Sequence, residues 1–166
     1  MKFEAMAVKF PRVDGHPNRV PFDGVLTVVN VASDKAPAGA RGHRVLLTSE
    51  AAEKALPSLL GMAVDYRPGW DGHDARRKIG VVTEADVVGQ RLVVHGYLYA
   101  RDFPEVARDL DAHAPEALGM SYELADARVE DLRAEVWKLT RVTFTGAAIL
   151  LREKAAYRAT SFRMAS

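Results

Sequence analysis

The sequence predicts an α+β fold: a single domain whose mostly antiparallel strands curl into a partly closed β-barrel with flanking helices. β-Branched, apolar runs recur along the chain, from Gly24–Val31 through Ile79–Val88 and Arg91–Ala100 to Leu118–Ala127, Ala134–Thr145 and Ala147–Leu151. Helical patterns interrupt them at only two separate points, so strands and helices do not alternate as they would in a parallel α/β sheet. A length of 166 residues with 48% hydrophobic content is enough for one domain to bury its own core without disulfide support. The expected layout is one domain over 1–166, with an N-terminal strand and loop in 1–21, a core in 22–151 and a C-terminal tail in 152–166.

Residues 3–10 alternate loosely and read as a first strand. Pro11–Pro21 is crowded with turn formers and reads as a loop. After the strand Gly24–Val31, the small residues of Ala36–Gly42 form a connection. Thr48 and Ser49 are N-cap residues for a helix over 49–60, with Pro57 tightening its last turn and Gly61 stopping it. Met62–Tyr66 is a short strand, and Arg67–Asp74 an irregular loop. Gly89-Gln90 joins the two following runs as a hairpin. Asp102, with Glu105 three residues on, is expected to cap a second helix ending near His113. The last third is all strand-like, and pairing 118–127 with 134–145 as a hairpin sets Ser121 near Arg141. The tail Arg152–Arg158 reads as a basic short helix or a solvated face.

Composition narrows the chemistry. The 23 Lys and Arg nearly balance the 22 Asp and Glu, giving +1, so a general basic surface for nucleic acid is not expected. There are no cysteines, which removes thiol nucleophiles, disulfides and Cys-ligated zinc. No apolar run is long enough to span a membrane, and Met1–Met6 lacks the order of a signal peptide; a cytoplasmic protein is expected. His16, His43, His73, His95 and His113 do not share the spacing that places two imidazoles on one helix face, so no metal or other cofactor is expected.

Two residues have suggestive settings. His73, in Asp71-Gly72-His73-Asp74, sits in a loop feeding the strand that starts at Ile79, where a rigid frame can aim a ring into a cleft. Ser121 stands in Gly119-Met120-Ser121-Tyr122-Glu123, sharing a face with Glu123 while Met120 and Tyr122 face the other way. Glu123 stands where a G-x-S-x-G elbow has its second glycine. Taken singly, a loop histidine between aspartates is usually solvated and a strand serine usually structural.

The order of these features resembles the prohead (capsid maturation) serine proteases of tailed phages, which share a fold with the herpesvirus assemblins. The resemblance covers about Gly24 to Thr160. It rests on Gly24–Val29, on Gly72-His73-Asp74 with Lys78–Val82, on Leu92–Leu98 followed by Leu118–Glu123, and on Phe144–Leu150 with Ala155–Tyr157. It implies a protease domain in which His73 is the general base and Ser121 the nucleophile. The third member is open at this stage: Glu123, Asp65, Asp71 and Glu135 are the acids available, and no acid flanks Arg141. By analogy, the Arg152–Lys154 segment is where oxyanion donors are expected. The resemblance further implies major capsid protein and scaffold segments as substrates, self-cleavage, and a homodimer or assembly-dependent oligomer. It places the chain in the host cytoplasm inside the assembling prohead, with neither nucleic acid nor membrane as partner.

Two other readings compete. The chain is a catalytically inactive capsid scaffold or assembly factor of the same fold, or it is a small barrel that binds peptide or nucleic acid through Tyr97 and Tyr99 on one strand face.

Overall fold

A computed structural model describes residues 15–165. The strand expected over 3–10 lies outside them. Every strand joins one eight-stranded sheet, in the order β2-β7-β3-β4-β5-β1-β8, with β6 paired to the other edge of β7. The strands are β1 (Val20–Val28), β2 (Arg44–Leu47), β3 (Ala63–Asp65), β4 (Lys78–Val88), β5 (Arg91–Leu98), β6 (Leu118–Val129), β7 (Val136–Leu151) and β8 (Ser161–Met164). The pairings are antiparallel except those of β2 and β3 with β7. The expected α+β, partly closed barrel is what forms.

Closure is made by side-chain packing between the ends of the sheet, with no β6–β1 or β6–β8 ladder among the described residues. Gly24 on β1 lies so close to β6 that a Cβ there would sit 2.6 Å from the Met120 sulfur. Inside, alternate residues of each strand meet: Phe22 and Leu26 of β1, Val82 of β4, Leu92 and Val94 of β5, Met120 of β6, Phe144 and Ile149 of β7 and Phe162 of β8 are all buried. Phe22 and Phe162 pack with ring centroids 5.3 Å apart across β1 and β8.

The β4–β5 hairpin forms as expected, pairing Val88 with Arg91. Gly89 opens its two-residue turn at φ +61°, a conformation glycine adopts without Cβ strain. The first helix, α1 (Ser49–Ala55), runs into a 3₁₀ turn (Leu56–Leu59) with Pro57 in its first positions. Its cap is Thr48, whose side-chain oxygen accepts the Ala51 N–H at 3.1 Å. Because the Thr48 hydroxyl also donates to Leu139 O of β7 at 3.3 Å, the cap ties the helix to the sheet. Thr48→Ala should cost about 1 kcal/mol, read as a lowered urea midpoint with unchanged m-value.

Three expectations fail here. The second helix, α2 (Pro104–Ala112), is capped by Phe103 without a side-chain bond, not by Asp102. Proline favours the first helical position and so sets the start at 104, while the Asp102 carboxylate accepts from Asn18 Nδ2 at 2.8 Å. The first core strand runs Val20–Val28 rather than Gly24–Val31; Asn30 turns the chain at φ +58°. β7 is one continuous strand through Gly146, so Ser121 pairs with Ala148 and Arg141 pairs with Arg128. The tail bears out its short-helix reading over Arg152–Lys154, a 3₁₀ turn, but it is also pinned down: Tyr157 is buried with its hydroxyl shared between Val31 O and Val45 O, and Ser161–Met164 pairs with β1 as β8.

Candidate active site

The site is built on the outer face of the β3-β7-β6 region. On β6, Tyr122 turns inward against Phe144, ring centroids 5.5 Å apart, so Ser121 and Glu123 face outward. On β3, Val64 is fully buried in the core, so Asp65 faces outward as well. Asp65 and Ser121 both pair with Ala148 of β7, from opposite sides, and Glu123 pairs with Gly146. Asp65, Ala148 and Ser121 therefore form one row across three strands, its ends two strand spacings, roughly 10 Å, apart. Between them the outer face of β7 carries the small residues Gly146 and Ala148, with Leu150 next along it.

His73 reaches the carboxylates of both neighbouring strands. Its Nδ1 lies 3.5 Å from Asp65 Oδ1 and 3.7 Å from Glu123 Oε1. The Glu123 side chain itself extends over Gly146 of β7. The loop that delivers it is held at several points. Trp70 is buried at φ +54°, stacks on Tyr66 at 4.9 Å and donates its indole N–H to Asp109 of α2. Arg67 binds Asp71 at 2.7 Å, and the Asp74 N–H donates to Asp65 Oδ1 at 3.3 Å.

Both nitrogens of His73 are buried, and neither is hydrogen-bonded to a described residue; the contacts to Asp65 and Glu123 lack hydrogen-bond geometry. His73, Ser121 and Glu123 line the same cavity, of about 900 Å³, together with Arg67, Lys154 and the Ala36–Ala40 loop. Tyr122 does not compete as a base: burial of its hydroxyl pushes the phenol up to about 12.

The other acids sort by their partners. The Arg67 guanidinium, hydrogen-bonded to Asp71, holds that carboxyl below the usual carboxylate range and occupies it. Glu135 precedes β7 at the end remote from Ala148, where its carbonyl meets His43 Nδ1. Arg152 lies against Gly119, and its Nε is buried without a partner. The platform of Gly146 and Ala148 and the anchoring Trp70 went unread in the sequence. Alternation along a continuous β7 would have disclosed the first.

The remaining histidines have structural settings. His43 stacks on Trp137 at 4.5 Å, His113 meets Asp109 O at 2.7 Å, and His95 is exposed. Tyr97 and Tyr99 meet edge to face at 5.4 Å, and Arg19 covers Tyr97, so they do not form a flat stacking platform. Among the described residues no cluster of three or more His, Asp or Glu is placed to hold a metal, and no helix is long and apolar enough to cross a membrane.

No family model matches the chain, and no curated protein matches it. Among solved structures, it is similar in backbone path to a KSHV protease in complex with a hexapeptide phosphonate inhibitor. The identity is 12% and the TM-score 0.49, over 89% of this chain and 65% of that one. The chain thus spans just under two thirds of that neighbour's length.

Proposed function

We propose that this chain is a serine endopeptidase of the tailed-phage prohead type, with Ser121 as nucleophile and His73 as general base. One observation carries the reading: an imidazole with both nitrogens buried and unbonded shares a cavity with an outward-facing strand serine, with carboxylates beside its Nδ1. Burying two unsatisfied nitrogens costs free energy, which a ring poised for proton transfer explains. In this reading His73 Nε2 takes the Ser121 proton as Oγ attacks a peptide carbonyl carbon. The proton passes to the leaving amine as the C–N bond breaks, and water then hydrolyses the acyl-enzyme. Arg152–Lys154 is the segment from which we expect oxyanion donors.

The substrates in this reading are the scaffold segments and major capsid protein of an immature capsid, and the chain itself, inside the prohead in the host cytoplasm. Low activity when dilute and activation on homodimerisation or assembly would confine digestion to assembled particles. No cofactor, nucleic acid or membrane enters the scheme.

The scaffold reading is favoured by one observation, the absence of a hydrogen bond from the Ser121 hydroxyl to His73 Nε2. Such contacts are often loose in a free enzyme and tighten with substrate bound, which ranks the peptidase first. A fluorophosphonate probe with intact-mass detection separates the two. The expected result is a single adduct on Ser121, absent from Ser121→Ala and His73→Ala and forming faster as protein concentration rises. No adduct at any concentration would overturn the peptidase reading in favour of the scaffold.

A further inference from the structure

We propose that Asp65, and not Glu123, is the positioning residue that orients His73 toward Ser121; the inference rests on the serine-peptidase reading above. A histidine base needs its proton on the ring nitrogen remote from the nucleophile, so that the nearer nitrogen is free to accept. Here both carboxylates lie beside Nδ1, which leaves Nε2 for the serine. The question is which carboxylate holds the ring.

Register answers first. Asp65 and Ser121 share the row through Ala148, at its two ends, so a ring lying between them has one nitrogen toward each. Glu123 lies one alternate position further along β6, opposite Gly146, on the same strand as the nucleophile. The Glu123 carboxylate lies over Gly146, so a pull from it draws the ring along the sheet and out of the row, whereas a pull from Asp65 keeps the ring in line with Ser121.

Burial gives the second argument. The Asp65 side chain is 6% exposed and that of Glu123 50%. A carboxylate screened by water interacts far more weakly than one in the protein interior. Glu123 also has a longer side chain to immobilise, at a greater entropic cost.

The third argument is the loop. Asp65 Oδ1 accepts the N–H of Asp74, the residue after His73. One carboxylate therefore fixes the backbone that carries the imidazole and faces the imidazole itself. Glu123 holds no described part of that loop through a hydrogen bond.

The test compares Asp65→Asn with Glu123→Gln, both near-isosteric. Asn keeps an oxygen for the Asp74 N–H but offers His73 an amide in place of a carboxylate. Imidazole ¹⁵N shifts report which nitrogen carries the proton, without any need for activity. We expect His73 protonated on Nδ1 in the wild type and in Glu123→Gln, and on Nε2 in Asp65→Asn. The rate of fluorophosphonate labelling should fall about 10⁴-fold in Asp65→Asn and less than about tenfold in Glu123→Gln, an exposed and screened carboxylate. An unchanged tautomer in Asp65→Asn, or a larger effect in Glu123→Gln on either readout, overturns the assignment. Should Asp65→Asn fail to fold, Glu123→Gln decides alone, since loss of the Nδ1–H tautomer there overturns it and retention supports it. A wild type that shows the expected tautomer but no labelling removes the peptidase reading and leaves the Asp65–His73 pairing standing.

Discussion

On the peptidase reading, Ser121→Ala should lower peptide-bond hydrolysis about 10⁶-fold, and adding His73→Ala to it should cost almost nothing more. The reason is that a serine hydroxyl and its base act as one unit. Without the base the hydroxyl remains protonated and weakly nucleophilic; without the hydroxyl the base has no proton to take. Nothing nearby replaces either. Tyr122, next in sequence, points into the core and stays protonated at neutral pH, and Asp71 is committed to Arg67. Substrate binding in the cavity and oxyanion stabilisation survive both substitutions, so a residual rate about 10³-fold above water should persist in the single and double variants alike. Turnover of a peptide library, read by mass spectrometry for the wild type, both singles and the double, checks this. A double variant slower than wild type by the product of the two single losses would show that the residues do not act together. A Ser121→Ala enzyme as fast as wild type would remove the nucleophile.

The sequence carried much of this arrangement, unevenly. Periodicity located β4, β5 and their turn because Leu92, Val94 and Leu98 alternate cleanly and Gly89 marks the reversal. Alternation likewise placed Ser121 and Glu123 on one face. It could not place Asp65, because that depends on β3 pairing in parallel with β7, a contact between segments more than eighty residues apart. Local pattern located β3 within Met62–Tyr66 but says nothing of such a pairing, because three residues do not name their partner strand. The expected β6–β7 register failed for a different reason. Gly146 reads as a break in a strand pattern, yet here it continues the strand and lies beneath the Glu123 side chain. Splitting β7 there moved Ser121 opposite Arg141 and concealed that Ser121 and Asp65 share Ala148 as a pairing partner. β2 and β8, four residues each, were missed because their edges are satisfied by distant strands rather than by a neighbouring hairpin.

Gly96→Ala should be the most damaging single-methyl change in the described chain, lowering stability by about 3 kcal/mol or more. Gly96 lies mid-strand on β5, paired with Phe22 of β1 on one side and Val82 of β4 on the other. A Cβ built there would sit 2.0 Å from the Val81 carbonyl oxygen and 2.8 Å from the Phe22 ring. The ring cannot yield freely, because Phe22 is itself buried against Phe162 and its movement disturbs the packing between β1 and β8. The carbonyl belongs to the β4 ladder and cannot retreat without breaking strand pairing. Gly72→Ala is the informative contrast: its Cβ would meet only the Arg67 guanidinium, at 3.2 Å. That exposed side chain can turn aside at the expense of its exposed pairing with Asp71, so the cost should stay within about 1 kcal/mol. For a domain of this size 3 kcal/mol corresponds to a drop of about 6–12 °C in Tm, which a thermal melt of the two variants beside wild type resolves. Equal melting temperatures for Gly96→Ala and Gly72→Ala would mean that β4 and β5 can separate locally at no cost. The barrel wall would then be far softer than the close approach at Gly96 requires.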